Sequence, residues 1–173
     1  MRILTYWLIP AEPARSYFAS LIADLGARFD APVFDPHLTI YVTQAEDENP
    51  GELLERALAG AKSFRLSPTG VEFSDKFTKT VFVQFESNEE LAALSAKFRA
   101  ASTSHENYEL NPHLSLIYKT MPRETKAEIV NSLSLPFHEV RFDAATAVIS
   151  PPEIKSREDV EAWRVVASKA LSQ

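Results

Sequence analysis

The sequence predicts an α+β fold made by duplication of one module, and three observations carry that expectation. Each half of the 173 residues reads strand, helix, histidine-bearing strand, helix, strand. The pentapeptide Pro36-His37-Leu38-Thr39-Ile40 recurs as Pro112-His113-Leu114-Ser115-Leu116, so two of only four histidines share one local pattern. With 45% hydrophobic and 24% charged residues, the chain can bury a sizeable core without crosslinks.

In the first half, Ile3 to Ile9 is rich in branched and aromatic residues and reads as a strand. Pro13 opens a helix with Phe18, Leu21, Ile22, Leu25 and Phe29 at helical spacing. Phe34-Asp35-Pro36 restarts extended chain, and His37 to Val42 forms a second strand. Asn49-Pro50-Gly51-Glu52 supplies a cap, a first-turn proline and an acidic third position for a helix carrying Leu53, Leu54, Ala57 and Leu58. One strand is expected near Phe64 to Phe73.

In the second half, a strand at Thr78 to Phe85 precedes a helix opened by a Ser87/Glu90 capping box and carrying Leu91, Leu94 and Phe98. A strand follows at His113 to Tyr118, then a helix opened by Pro122, with Ile129 and Leu133 on its apolar side. Strands are expected at Phe137 to Phe142 and Ala145 to Ile149; Trp163 to Ala167 fits a strand or a helix.

Several function classes drop out on composition. The chain has no cysteine, which excludes disulfides, thiolate catalysis and thiolate metal sites and fits a reducing, cytoplasmic setting. A net charge of -6 and the absence of a Lys/Arg run make long nucleic acid a poor partner. The apolar run Ile3 to Ile9 ends at Pro10, too short to span a bilayer, so neither a membrane segment nor a signal peptide is expected. A monomer is the default.

Alternation puts His37 and Thr39 on one face of their strand, with Leu38, Ile40 and Val42 on the other; His113 and Ser115 against Leu114 and Leu116 repeat this. Two such strands side by side would flank one substrate atom with two imidazoles and two hydroxyls. Hydrolysis of a cyclic phosphodiester needs a base for water and an acid for the departing oxygen, and histidine titrates in the range both jobs require. Thr39 and Ser115 are then candidate donors to the phosphate oxygens. A metal centre would need a third ligand, and only Asp35 stands near either motif, so neither metal nor cofactor is expected. His105 and His138 read as ordinary loop and strand-start residues. Lys76, Lys79 and Lys119 lie near the expected cleft strands but read as solvated surface residues.

These motifs resemble the signature of the 2H phosphoesterase superfamily, two His-x-Thr/Ser units, and within it the cyclic phosphodiesterase-like branch. Trp7 and Pro10, the run Pro32 to Thr39, and Pro112 to Tyr118 carry the similarity, which extends over nearly the whole chain. The resemblance implies a single bilobal domain over 1–173, with two antiparallel sheets facing a central cleft and helices outside. It implies metal-independent opening of nucleoside 2′,3′-cyclic phosphates or ADP-ribose 1″,2″-cyclic phosphate, with a 2′-phosphate left on the nucleotides. Carried over by position, His37 and His113 are the acid and base pair, Thr39 and Ser115 bind phosphate, and Tyr118 lines the site. Strict alternation would turn Tyr118 away from His113, so a bulge or strand end is needed there. Trp7, Tyr6 and Phe82 are candidate platforms for a base. Two alternatives remain open: an RNA-end 2′,3′-cyclic phosphodiesterase or 2′-5′ ligase-like protein, and a non-catalytic nucleotide-binding module.

Overall fold

The computed structural model describes residues 1–44 and 46–173. Its strands are β1 (Ile3–Pro10), β2 (Leu38–Gln44), β3 (Phe64–Leu66), β4 (Pro68–Phe73), β5 (Val81–Phe85), β6 (His113–Ile117), β7 (Val140–Ser150) and β8 (Arg164–Ala170). The helices are α1 (Ala14–Phe29), α2 (Pro50–Ala57), α3 (Glu89–Ala101), α4 (Arg123–Ser132) and α5 (Arg157–Glu161).

The strands join in the order β3-β7-β1-β2-β6-β5-β4, with β8 also on β7. All the pairings are antiparallel. The expectation of two separate sheets is therefore corrected to one main sheet. The reason lies in its middle, where β2 and β6 meet through the pair Leu38↔Leu114 and close the two flanks into one surface. Leu38 and Leu114 occupy equivalent positions of the repeated pentapeptide, so an antiparallel pair between them defines a local two-fold axis.

The duplication is also more interwoven than two side-by-side modules. The strand expected over Phe64 to Phe73 is two: β3 pairs with β7 at one edge, whereas β4, after Ser67, pairs with β5 at the other. Pro68 has no amide hydrogen for a continuous ladder, and the chain changes edge there. Conversely, the segments expected at Phe137 to Phe142 and Ala145 to Ile149 merge into the 11-residue β7, which pairs with β1 from the first half. Each histidine strand thus shares its flank with a strand from the other half of the chain.

Helices α1 to α4 bury their apolar stripes in one core: Phe18, Ile22 and Leu25 of α1, Leu53 and Leu54 of α2, Leu91, Leu94 and Phe98 of α3, and Ile129 of α4. They meet Leu4, Tyr6, Leu8, Leu38, Ile40, Leu114 and Leu116, which come from one face of the sheet. The helix ends follow local chemistry. Asn49 accepts from the Gly51 and Glu52 amides. The α3 cap is Asn88 rather than Ser87; its side chain accepts from the Leu91 amide. Helix α5, not anticipated from the sequence, is opened by a reciprocal Ser156/Asp159 capping box. Of Trp163 to Ala167, the residues from Arg164 onward resolve as strand, because β8 pairs with β7.

Candidate active site

The face of the sheet away from α1 to α4 carries a cavity of about 220 Å³. One step either side of Leu38↔Leu114, the antiparallel register sets His37 across from Ser115 and Thr39 across from His113. In register, each histidine is therefore opposite the hydroxyl-bearing residue of the other motif. His37, Thr39 and His113 line the cavity.

Both histidines are held in the same way. His37 Nδ1 donates to the Asp35 carbonyl at 2.7 Å, and His113 Nδ1 donates to the Asn111 carbonyl at 2.8 Å. A carbonyl only accepts, so Nδ1 carries the hydrogen in each ring and the Nε2 of the neutral ring is left with a lone pair. The intervening Pro36 and Pro112 hold the preceding residues extended, which aims those carbonyls back at the rings. Gln84 reinforces the second copy by donating to the Pro112 carbonyl at 2.9 Å and to the Asn111 side chain at 3.1 Å.

The symmetry extends to the next strands and to their irregularities. Trp7 pairs with Thr39, and Phe82 pairs with Ser115. In both cases the register slips by one residue immediately before the aromatic. The bulges let Ile40 and Tyr41, and likewise Leu116 and Ile117, all turn into the core. Val42 and Tyr118 then return to the cavity side, where both line the wall. This supplies the bulge that Tyr118 needs and corrects Val42, which strict alternation put on the core face.

The surroundings of the two imidazoles differ. His37 is 6% exposed. Trp7 lies flat on it, with ring centroids 3.7 Å apart and 13° between the planes. Trp163 closes edge-on at 5.6 Å, and Phe34 at 6.1 Å. Burial among these rings pushes its pKa down to about 4. His113 is more open and meets the edge of Phe82 at 5.7 Å. Its pKa is also lowered, first by burial and further by Lys79 and Lys76, against the hydrogen bond to Asn111. Burial pushes the Tyr118 hydroxyl up to about 12, so it remains a donor.

The expected site residues separate as follows. His37, Thr39, His113, Trp7 and Tyr118 converge on the cavity. Ser115 is buried against Thr78, donating to its carbonyl at 2.7 Å, and Phe82 lies under His113. Tyr6 does not join them: alternation along β1 turns it into the core, where it packs on Phe98 at 4.9 Å and on Tyr41. Trp163, Tyr108, Thr78 and Ile154 line the cavity without having been anticipated. Trp163 gets there because it leads into β8, which pairs with β7, and Tyr108 comes from the α3–β6 connection; neither carries a motif. Lys119 is used structurally, donating to the Phe29 and Asp30 carbonyls at the end of α1. Among the described residues, no three His, Asp or Glu side chains gather as a metal centre would require.

An antiparallel α+β sheet with two two-fold-related His-x-Thr/Ser strands defines the LigT-like, 2H class of phosphoesterases. Solved structures share this fold over essentially the full length. The Thermus thermophilus protein TT0787 matches with TM-score 0.63 and 21% identity, over 99% of this chain and 98% of that one. Escherichia coli LigT complexed with 3′-AMP matches with TM-score 0.62 and 15% identity, over 99% of both chains. The family model for cyclic phosphodiesterase-like protein matches residues 1–171, and the chain belongs to that family. A cyclic phosphodiesterase of Arabidopsis thaliana is 25% identical over 128 residues, covering 72% of this chain and 69% of the plant protein. Membership of that family makes the chain a cyclic phosphodiesterase-like phosphodiester hydrolase. Among the described residues, no helix is long and apolar enough to cross a membrane.

Proposed function

We propose that the protein hydrolyses a nucleoside 2′,3′-cyclic phosphate or ADP-ribose 1″,2″-cyclic phosphate by a two-histidine acid and base mechanism that needs no metal. The observation that carries this is the two-fold arrangement of His37, Thr39, His113 and Ser115, with both Nδ1 atoms tied to carbonyls. The phosphorus sits between the two strands. His37, kept neutral by burial, takes a proton from water through Nε2 as the water oxygen bonds to phosphorus. His113, more open to solvent, donates a proton to the ribose oxygen as the phosphorus–oxygen bond breaks. A phosphomonoester remains on the ribose; His37 then releases its extra proton to solvent and His113 takes one up from solvent, which resets the pair.

Thr39 and Ser115 serve as donors to the non-bridging oxygens, Ser115 by turning from the Thr78 carbonyl. Tyr118 and Trp163 shield the reacting group from bulk water. A nucleotide as carrier is supported by the LigT structures, which were solved with 3′-AMP and with ATP. The test is hydrolysis of adenosine 2′,3′-cyclic phosphate in excess EDTA, with the position of the product phosphate resolved. Turnover to a 2′-phosphate, abolished by His37→Ala and by His113→Ala, is expected; activity retained in either variant, or abolished by EDTA, would refute it.

A further inference from the structure

Segment 151–163, between β7 and β8, closes one side of the cleft with Ile154 and Trp163. Packing alone does not fix this indole. A second cavity of about 330 Å³ shares Trp7 and Trp163 with the cleft and is walled further by Val33, Phe34, Val148 and Val160. Trp163 therefore borders unfilled space on two sides, where close packing has no atoms to hold it. Its hold on the fold runs instead through α5. That single turn is locked by the Ser156/Asp159 box, and the amides of Ala162 and Trp163 donate to the carbonyls of Glu158 and Val160, so Trp163 is carried on the end of α5. At the start of the same turn, Arg157 Nη2 donates to the Asp30 carbonyl at 2.8 Å and to the Asp30 carboxylate at 2.9 Å. Among the described residues, these are the only hydrogen bonds that join 151–163 to another part of the chain.

Asp30 suits the part of anchor. It caps α1 in the left-handed region, φ 51°, with its amide donating to the Gly26 carbonyl, and it stands at the negative end of the helix dipole. Lys119 donates to the same Asp30 carbonyl and to that of Phe29, so both lone pairs of the Asp30 oxygen are taken by cations. An exposed ion pair by itself contributes little, but a charge-assisted bond to a carbonyl fixed at a helix end has a defined direction. Three segments meet at this knot, and each carries a ring of the wall: Phe34 follows Asp30, Tyr118 precedes Lys119 and Trp163 follows Arg157. The rings touch one another, Phe34 and Tyr118 at 4.5 Å, Tyr118 and Trp163 at 5.4 Å, Phe34 and Trp163 at 6.1 Å. His37 lies against Phe34 and Trp163.

We propose that Arg157 is a positioning residue for the reaction: by gripping Asp30 it holds Trp163 edge-on to His37 and so keeps water from the imidazole that takes the proton. The proposal rests on His37 serving as the base. The charged and titratable groups on the elements around that ring are His113, Tyr118 and Lys119 on or just after β6, Asp35 on its own segment, Asp30 at the end of α1, and Arg157 and Glu161 on α5. Burial acts on His37 most strongly, followed by the Asp35 carbonyl, and the one charge that acts on it is that of His113. Arg157 therefore works through the placement of Trp163 rather than through its own field. The grip makes the shielding of the base a property of a contact on the far side of the wall, outside the cleft itself.

The test follows the His37 ring protons by NMR in the wild type, Arg157→Gln, Arg157→Lys, Asp30→Gly and, as a charge control on the same segment, Lys155→Gln. In Arg157→Gln the ring is expected to titrate about one pH unit higher, and the acid limb of kcat/KM moves up with it. Arg157→Lys keeps a donor for the carbonyl and restores most of the wild-type behaviour. Asp30→Gly keeps the left-handed cap and the carbonyl but loses the carboxylate, so the ring moves in the same direction and by less. Lys155→Gln leaves it unchanged. An effect of charge alone would send Arg157→Gln and Asp30→Gly in opposite directions, because one removes a positive and the other a negative charge. That result, an unmoved ring in Arg157→Gln, or an equal change in Lys155→Gln would overturn the proposal. The titration is read without substrate. A raised ring in a protein that turns nothing over rejects the catalytic reading and keeps the grip on Trp163; activity abolished by His37→Ala, with an unmoved ring in Arg157→Gln, does the reverse.

Discussion

Lowering the pH should unfold this protein through His37, by an amount that follows from its burial. The ring lies 6% exposed between Trp7 and Trp163, and its pKa in the folded chain is about 4, against an unfolded value of 6.5. Between those values the unfolded chain binds the proton and the folded chain does not. Stability is therefore complete above about pH 6.5 and falls with pH until the folded ring itself titrates near 4. At 1.36 kcal/mol per unit, the loss from this group is about 2 kcal/mol at pH 5 and about 3 kcal/mol below pH 4. His113, shifted in the same direction, adds to it. The assay is urea unfolding of the wild type and His37→Gln at pH 7 and pH 5, with the His37 ring protons titrated by NMR. The wild type should lose about 2 kcal/mol more than the variant across that interval. A ring titrating near 6.5, or parallel losses in both proteins, would refute the account of His37 as a base kept neutral by burial. The acid limb of kcat/KM reports the same group in the free enzyme and should lie well below pH 6.

Three further outcomes follow from the geometry. Thr39→Ala should lower kcat on the order of a hundredfold, the usual effect of removing one donor to a developing oxyanion, with little change in melting temperature; a stability loss without a rate loss would make Thr39 a packing residue. Leu38→Ala, at a position 0% exposed where the flanks of the sheet join, should cost roughly 2–5 kcal/mol in urea unfolding. Its combination with Leu114→Ala should depart from additivity, since the two residues pair directly. Trp163→Ala opens the wall beside His37 to water and should raise the NMR-measured pKa of that ring toward 6.5, while a Trp163→Phe variant keeps it low.

Much of the site was legible because its chemistry is local. A Pro-His-apolar-hydroxyl-apolar unit sets its own face by alternation, and its proline aims the carbonyl that fixes the tautomer. Both copies could therefore be read without knowing where they meet. Tyr118 and Val42 were harder, since the bulges that turn them to the cavity arise from pairing with β1 and β5 and leave no residue signature. Tyr6 and Trp7 are neighbours with equal claims as aromatic platforms. Which of them faces the cleft depends on which face of β1 receives the helices.

The sequence by itself determined the order of most strands and of the first four helices, the Asn49 cap, the duplicated module and the residue types that carry the chemistry, because spacing, capping and strand alternation act over a few residues. Only the tertiary structure decided that Leu38 pairs with Leu114, that the halves exchange strands across one sheet, and that Trp163 reaches His37 and Lys79 reaches Phe82. Those outcomes depend on contacts between residues far apart in the chain. Their register is set by the burial of whole faces rather than by any local pattern.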